Sequence, residues 1–246
     1  DFVLHQAARG SVLKSIINPI KTNHSNVTGF LEILNFSKDQ NVKSFVYASS
    51  SSVYGDSKLL PKKENKVGKV MSNYALTKKI NEEYSELYFK LYNFKTIGFR
   101  YFNVFGKRQN PEGDYAAVIP RWINKVKKGE KIYIFGDGKT SRDFTPISYV
   151  IEANILAAII TLPKKNYIFN VGTNSRITLN ELISLIYDIF KIPKNKRKIY
   201  YKDFRKGDIR HSLANVNKIK KKLGFIKKET FKEALLSTIN WFTKNA

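Results

Sequence analysis

The stretch that decides the fold runs from a serine cluster, Ser49-Ser50-Ser51-Ser52, to the pentapeptide Tyr74-Ala75-Leu76-Thr77-Lys78. The cluster follows an apolar run at 44–48, whose β-branched and aromatic residues and short length predict a buried strand. The pentapeptide opens a pattern of apolar side chains that recur at helical spacing. Because Tyr74 and Lys78 are i and i+4, they lie one turn apart on the same helix face. The stretch therefore predicts a strand, a polar loop and a helix that carries a tyrosine–lysine pair.

A serine at a strand end that faces such a pair suits hydride-transfer chemistry. A tyrosine with an ordinary pKa near ~10 is a poor base at neutral pH. The ammonium of Lys78 would favour the phenolate of Tyr74, and an oxidised nicotinamide would add a second positive charge. A serine hydroxyl can hold the oxygen of a substrate hydroxyl in line. The pair alone would also suit a solvated helix face, and the serines alone a polar turn, but the combination after a buried strand favours a catalytic site.

The composition is that of a globular chain with a strong positive charge. Its 246 residues can bury a sizeable core, and 44 basic against 20 acidic residues give a formal net charge of +24. A field of that size favours polyanionic partners, either phosphorylated ligands or nucleic acid. Because the lysines are spread along the chain in short clusters, we interpret most of the charge as solvated surface and expect no nucleic-acid partner.

Several kinds of site are disfavoured. The longest nearly apolar run, at 151–162, carries Glu152 and Asn154 and is too short to span a bilayer, so we expect no membrane partner. The chain has no cysteine, which excludes disulfides and thiolate metal sites but leaves the compartment open. Its three histidines are far apart in sequence. We expect a cytoplasmic protein without a metal ion.

Predicted strands and helices alternate along the first half of the chain. Strands are expected at 1–5, 44–48 and 95–102, and helices at 12–18, 22–39 and from Tyr74 onward, with Pro19 interrupting the first two helices. This alternation predicts an α/β fold with a doubly wound parallel sheet, whose ligands bind at the carboxyl ends of the strands. Shorter elements follow Gly106. We therefore expect one region at 1–106 and a second at 107–246 that covers the sheet, donates ligand contacts and returns some segments to it.

Seven segments in order carry a family resemblance. They are H-Q-A-A-x-G-S-V at 5–12, Y-A-S-S-S-S-V-Y-G-D at 47–56, Y-A-L-T-K at 74–78, R-Y-F-N-V-F-G at 100–106, Y-A-A-V-I-P-x-W at 115–122, G-D-G-x-T-S-R-D-F at 136–144 and R-x-G-D-x-R-H-S at 205–212. Together they closely resemble the extended short-chain dehydrogenase/reductase superfamily, and within it bacterial UDP-N-acetylglucosamine 4-epimerases. The resemblance implies a Rossmann-like sheet with NAD as cofactor, a UDP-sugar substrate, a role in surface-polysaccharide supply and a homodimer.

The resemblance also implies a role for individual residues. Tyr74 would be the base on the sugar's 4-hydroxyl, Lys78 would lower its pKa, and Ser50 with Ser51 would hydrogen-bond the same hydroxyl. The implied cofactor contacts are His5, Gln6, Ala7, Ala8, Asn26, Tyr74, Lys78 and Tyr101. The implied substrate contacts are Gly10, Ser11, Ser50, Ser51, Asn103, Ala117, Val118, Trp122, Tyr133, Arg142, Arg205, Asp208 and Ser212. The arginines would hold the diphosphate through charge-assisted hydrogen bonds, and Asp208 would bind the ribose.

Two positions bear on the substrate and the reaction. Ser212 stands where epimerases restricted to non-acetylated sugars resemble one another in having a bulky tyrosine, so a 2-acetamido group has room. Ser51 and Ser52 stand where dehydratases usually place an acid, which favours epimerisation of a UDP-N-acetylhexosamine by transient oxidation at carbon 4. UDP-glucuronate or UDP-glucose epimerisation remains an alternative. A non-catalytic polyanion-binding protein is another, although the intact Ser50, Tyr74 and Lys78 set disfavours it.

The chain departs from the family at its start. Family members begin with a strand, a Gly-x-x-Gly-x-x-Gly turn and a helix, whose N-terminus binds the cofactor pyrophosphate. The 13 glycines of this chain contain no such spacing, and Asp1 stands where the family's fourth strand would begin. We therefore expect that about the first quarter of a family-length protein is missing from this sequence.

Overall fold

The computed structural model describes residues 1–112, 116–163, 165–204, 209–226 and 228–245. The strands are β1 (Phe2–His5), β2 (Ser44–Ser50), β3 (Thr96–Tyr101), β4 (Val104–Phe105), β5 (Ile132–Phe135), β6 (Ser141–Arg142), β7 (Thr145–Pro146), β8 (Tyr167–Val171), β9 (Ile177–Thr178) and β10 (Ile199–Lys202). The α-helices are α1 (Val12–Ile17), α2 (Pro19–Asn23), α3 (Gly29–Asp39), α4 (Asn73–Tyr92), α5 (Val118–Lys127), α6 (Ile147–Ile159), α7 (Leu179–Ile189), α8 (Asn217–Leu223) and α9 (Phe231–Asn245). Short 3₁₀ turns lie at Ser51–Tyr54 and Lys194–Lys196, and a π-helical turn at His24–Thr28.

A parallel four-stranded sheet with the order β1-β2-β3-β8 forms the centre of the fold. Side chains alternate between its two faces along β2. Phe45 and Tyr47 pack with Phe30 of α3 and Tyr88 of α4 on one face, whereas Val46 belongs to the cluster formed with α6 and α8 on the other. Both faces are covered, which explains the continuous apolar run of β2. The predicted α/β fold with a parallel sheet is confirmed.

A second core lies beyond the sheet. Parallel strands β5 and β10 pair with each other, and α5, α7 and α9 contribute to the same buried cluster. Trp122 of α5, Ile186 of α7 and Phe242 of α9 are among its buried side chains. Helix α7 begins with a capping box in which Thr178 and Glu181 satisfy each other's backbone N–H groups. This cluster forms one wall of the cavity described below.

The helix boundaries near Pro19 differ from the prediction. Pro19 does not interrupt a helix but starts α2, where its missing N–H is tolerated and its fixed φ is favourable. The side chain of Asn18 caps this helix by accepting from the backbone N–H of Lys21 at 2.9 Å. The turn at His24–Thr28 widens to a π-helix before α3 begins. The segment 22–39, predicted as one regular helix, is therefore three helical pieces.

A buried ion pair ties α4 to the sheet. The Nε and Nη2 atoms of Arg100 on β3 donate to the two carboxylate oxygens of Glu82 on α4, at 2.8 and 2.7 Å. The hydroxyl of Ser49 donates to the same carboxylate at 2.5 Å. The Nη1 atom of Arg100 reaches the backbone carbonyl of Glu64 at 3.0 Å, and its guanidinium stacks over the Tyr54 ring at 4.9 Å. This network fixes the loop between the serine cluster and α4.

Candidate active site

The serine cluster begins where β2 ends and the 3₁₀ turn starts. The Oγ atom of Ser50 accepts two hydrogen bonds from Ser52, one from its backbone N–H at 3.1 Å and one from its hydroxyl at 2.9 Å. The turn closes at Gly55, whose φ is 51°. A Cβ atom at Gly55 would lie 1.8 Å from the carbonyl oxygen of Lys69, so only glycine allows the loop to fold back here. The cluster is thereby held at the carboxyl end of β2.

The tyrosine–lysine pair occupies the first turns of α4. Ser72 caps this helix by accepting from the backbone N–H of Ala75 at 3.1 Å. The backbone N–H of Tyr74 is held by the hydroxyl of Ser15 on α1, at 3.0 Å. Lys78 is 2% exposed and donates from Nζ to the carbonyl oxygen of Ala48 on β2, at 2.7 Å. The structure therefore brings Tyr74 and Lys78 to the strand end that carries Ser50.

Burial governs the charge states of this pair. It raises the pKa of Tyr74 above its ordinary value, while the hydrogen bond from Ser50 acts in the opposite direction. Burial also lowers the pKa of Lys78 to about 8. Without cofactor or substrate, burial therefore outweighs the expected lowering of the Tyr74 pKa by Lys78. Exclusion of water disfavours the charged form of both groups.

The side chain of Asn26 anchors the loop after β1 through hydrogen bonds to its backbone. Its Oδ1 accepts from the backbone N–H of Arg9 at 2.7 Å, and its Nδ2 donates to the Arg9 carbonyl at 3.3 Å and to Oγ1 of Thr77 on α4 at 3.1 Å. Asn26, expected as a cofactor contact, is buried on the π-helical turn. In the structure it joins the loop to the helix of Tyr74 and so shapes the site.

Other predicted cofactor residues gather at the ends of β1 and β3. Gln6 donates from Nε2 to Oδ1 of Asn154 at 3.0 Å, and Asn154 donates from Nδ2 to the Tyr101 hydroxyl at 2.7 Å. Asn154, which sequence reasoning missed, therefore links Gln6 to Tyr101. His5 stacks on Phe45 with ring centroids 6.1 Å apart, and burial together with nearby Lys78 lowers the pKa of His5. His5 is consequently neutral at physiological pH.

A cavity of about 330 Å³ lies between the strand ends and the second core. It contains the predicted substrate residues Asn103, Ala117, Val118, Trp122, Tyr133 and Arg142. Sequence reasoning missed its other lining residues, which are Val104, Phe105, Ile119, Arg121, Ile134, Phe135, Thr140, Phe144 and Leu179. Four of these nine, Val104, Ile119, Arg121 and Ile134, adjoin a predicted residue in sequence, and for them that proximity was the available signal. Arg142 donates from Nη1 to the carbonyl oxygens of Ser141 and Arg210, at 3.1 and 3.2 Å, which fixes its guanidinium.

The cavity and the serine cluster meet through the sheet. Ser50 on β2 pairs with Tyr101 on β3, and Asn103 follows two residues later as a cavity residue. A ligand held in the cavity can therefore extend along the strand ends towards Tyr74. Such an arrangement can hold a two-part ligand, with one end in the cavity and a reacting group at the serine, tyrosine and lysine.

The remaining predicted residues have varied positions. Ser11 caps α1 by accepting from the backbone N–H of Lys14 at 3.2 Å, and Ser212 donates its backbone N–H to Ser141 at 3.1 Å, beside Arg142. Ser51 is half-buried at the start of the 3₁₀ turn, and Ala7, Ala8 and Gly10 are exposed on the loop after β1. Arg205 and Asp208 lie outside the described residues.

The part of the chain that the structure describes contains neither a metal-ligand cluster nor a membrane-spanning helix. Within it, histidine, aspartate and glutamate side chains form no group of three or more that could hold a metal ion. No helix within those same ranges is long and apolar enough to cross a membrane.

Comparison with known proteins identifies the family. The NAD dependent epimerase/dehydratase family matches residues 1–172. A putative UDP-glucose 4-epimerase of Methanocaldococcus jannaschii is 36% identical over 246 residues, which cover all of this chain and 78% of the relative. A UDP-glucuronate 4-epimerase of Thermodesulfobacterium geofontis is 34% identical, and the match covers 99% of this chain and 72% of that relative. The structure of UDP-N-acetylglucosamine 4-epimerase from Methanobrevibacter ruminantium in complex with UDP-N-acetylmuramic acid superposes with a TM-score of 0.94 at 36% identity, over 100% of this chain and 77% of that one. The chain is therefore an enzyme of the NAD dependent epimerase/dehydratase family.

Proposed function

We propose that this protein is a UDP-sugar 4-epimerase that interconverts UDP-N-acetylglucosamine and UDP-N-acetylgalactosamine. The observation that carries the proposal is the meeting of Ser50, Tyr74 and Lys78 at one strand end, beside a cavity that contains Trp122 and Arg142. An aromatic ring and a guanidinium suit the base and the diphosphate of a nucleotide. Residues 1–106 would carry the cofactor side of the site, and residues 107–246 mainly the nucleotide-sugar side.

The residues at the strand ends suit the nicotinamide ribose of NAD. The ammonium of Lys78 has three N–H donors, and one of them is used by the Ala48 carbonyl. The other two can donate to the hydroxyls of a ribose. Gln6 and Tyr101, linked through Asn154, form the opposite side of this region. NAD bound there would supply reversible hydride chemistry, by which carbon 4 of the sugar is oxidised and then reduced from its opposite face.

The chain's own residues move and hold the proton of the 4-hydroxyl. Tyr74 accepts this proton while the sugar is oxidised and gives it back when the sugar is reduced. Ser50 donates a hydrogen bond to the same oxygen and stabilises it as it becomes a carbonyl oxygen. The charge of Lys78 favours the phenolate of Tyr74. Ser51 and Ser52 offer no carboxylate for an elimination, which supports simple epimerisation.

The proposal is tested by comparing three nucleotide sugars with the NAD-loaded protein. We expect interconversion of UDP-N-acetylglucosamine and UDP-N-acetylgalactosamine, measured by chromatography, with the highest kcat/KM among the three. UDP-glucose and UDP-glucuronate are the competitors, because the two relatives described above are named for those sugars. A higher kcat/KM for UDP-glucuronate would contradict the N-acetylhexosamine assignment, and no turnover of any of the three would contradict the epimerase itself.

Replacing Arg142 by alanine should weaken substrate binding without slowing the chemistry. A hydrogen bond to a charged group contributes about 1.5–3 kcal/mol, so KM should rise roughly 10- to 100-fold while kcat stays nearly unchanged. Steady-state kinetics with UDP-N-acetylglucosamine measures both values. Arg176→Ala, which removes an exposed arginine that does not line the cavity, is the matched control. Equal KM values for the two variants would argue against a diphosphate contact of Arg142.

We also propose that the protein is a homodimer formed by α3 and α4. The two helices pack side by side and leave large apolar side chains exposed, including Phe36 at 62% on α3 and Leu91 at 61% on α4. Such a surface is typical of an interface between subunits. Light scattering should give twice the mass of one chain, and a monomer at micromolar concentration would contradict the proposal.

A further inference from the structure

The hydrogen bonds around the Ser50 hydroxyl determine whether it acts as a donor or as an acceptor. A serine hydroxyl has one proton to donate and two lone pairs to accept with. Both hydrogen bonds from Ser52 end on Ser50 Oγ, at 3.1 and 2.9 Å. The accepting capacity of Ser50 is therefore used, and its own proton is left to be donated. Tyr74 lies beside Ser50, and a proton donated by Ser50 would favour the ionised form of Tyr74.

The position of Ser52 is held by its surroundings. Its carbonyl oxygen accepts from the backbone N–H of Gly55 at 3.1 Å, which closes the 3₁₀ turn. Tyr54 in the same turn is buried, and its hydroxyl donates to Oδ1 of Asn170 on β8 at 2.6 Å. The guanidinium of Arg100 covers the ring of Tyr54. Since the turn is anchored at both the sheet and the loop, Ser52 has little freedom to turn away from Ser50.

We propose that Ser52 is a positioning residue that fixes Ser50 as a hydrogen-bond donor to the reacting oxygen, so that the sugar exchanges its proton directly with Tyr74. This inference rests on the proposed epimerase function. In the step that it describes, the O–H bond of the 4-hydroxyl breaks and a new O–H bond forms on the Tyr74 phenolate. Ser50 keeps its own proton throughout, because its lone pairs are occupied and cannot take the substrate proton at the same time.

Removing the hydroxyl of Ser52 should affect the chemical step in a pH-dependent manner. In Ser52→Ala the backbone N–H of residue 52 still donates to Ser50 Oγ, but one lone pair of Ser50 becomes free. The Ser50 hydroxyl can then rotate, and its proton is no longer held towards the reacting oxygen. The loss of one neutral hydrogen bond corresponds to roughly a 3- to 10-fold slower single-turnover rate at neutral pH. In the protein without substrate the Ser50 proton is directed at Tyr74, so its loss of direction raises the pKa of Tyr74. At subsaturating substrate the acid limb of the rate profile should therefore move to higher pH, by up to about one pH unit.

The experiment measures single-turnover epimerisation against pH for the NAD-loaded wild type, Ser52→Ala, Ser52→Thr and Ser57→Ala. Ser52→Thr keeps a hydroxyl and should restore the rate. Ser57 lies in the same loop and is also half-buried, but it binds Lys62 through its backbone carbonyl, so its alanine variant is the control. We expect unchanged KM in all variants, and a defect of Ser52→Ala that fades as the pH rises.

Three outcomes would overturn the inference and leave the proposed function standing. They are a Ser52→Ala rate equal to that of Ser57→Ala at every pH, a loss of the same factor at every pH, and a raised KM with an unchanged rate. The second would indicate a structural role and the third a direct substrate contact. Thermal unfolding of the same variants shows whether the fold is retained. A wild type that epimerises no UDP-sugar would instead remove the proposed function itself.

Discussion

Tyr74→Phe is expected to lower kcat by roughly 10²- to 10⁴-fold, the range that a positioned general base contributes. Phenylalanine keeps the ring in its half-buried position, and the backbone N–H at this position can still donate to Ser15. The substitution therefore removes the hydroxyl that is proposed to exchange the substrate proton and little else. Because the proposed substrate contacts lie mainly in the cavity lined by Trp122 and Arg142, KM should change little. Steady-state kinetics of the NAD-loaded variant measures both effects.

Tyr84→Phe provides the matched control for this prediction. Tyr84 lies ten residues further along α4 and packs against the core cluster on that face of the sheet. Its phenylalanine variant should keep the wild-type kcat. The pH dependence adds a second criterion: burial raises the pKa of Tyr74, so wild-type activity should fall as the pH is lowered and the phenolate is protonated. A Tyr74→Phe variant that keeps more than about a tenth of the activity, with the same acid limb, would assign the base to another residue.

The arrangement of Ser50, Tyr74 and Lys78 could be predicted because it depends on short-range patterns. The apolar run before Ser49 predicts a strand, and the spacing of Tyr74 and Lys78 places them on one helix face. Parallel strands bring their carboxyl ends to one edge, which places Ser50 near this helix. These features follow from backbone geometry. The structure confirms the strand, the helix and the parallel sheet.

The contacts that align the cluster could not be predicted in the same way. The hydrogen bond between Ser15 and the backbone of Tyr74 joins residues 59 positions apart in the sequence, and the one between Gln6 and Asn154 joins residues 148 positions apart. Such pairs depend on how helices pack, and no local pattern specifies them. Asn26 was named only through the family resemblance, and its inward position depends on a π-helical turn that the regular helical pattern did not indicate. The resemblance thus names residues, whereas packing decides which of them touch each other.

Strand β10 could not be predicted from the sequence for a different reason. Three of its four residues are exposed, so it lacks the alternation of buried and exposed side chains that makes a half-buried strand visible in a sequence. Its pairing with β5 supplies the backbone hydrogen bonds that order it. Tyr200 of β10 then packs near Tyr133 of β5, with ring centroids 5.9 Å apart. A cavity residue is thereby supported by a strand that only the tertiary structure defines.

Replacing Arg100 by leucine should produce the largest loss of stability, about 3–5 kcal/mol in the free energy of unfolding. The side chains of Arg100 and Glu82 are 4% and 6% exposed. Removal of the guanidinium leaves the Glu82 carboxylate buried without its cation, and Ser49 alone cannot compensate for the lost solvation. Urea denaturation followed by circular dichroism measures the change. The exposed ion pair of Lys79 and Glu83 on the same helix, at 3.5 Å, offers the control, since Lys79→Leu should cost less than about 1 kcal/mol.

A double variant separates the charge from the packing. If the cost of Arg100→Leu arises from the uncompensated carboxylate, then Glu82→Leu combined with Arg100→Leu should be more stable than Arg100→Leu alone, because no buried charge remains. If the guanidinium acts mainly as packing over Tyr54 and as a donor to Glu64, the double variant should be no more stable than the single one. The second result would contradict the electrostatic explanation. It would also indicate that the loop holding Ser52, rather than the anchoring of α4, is what Arg100 chiefly stabilises.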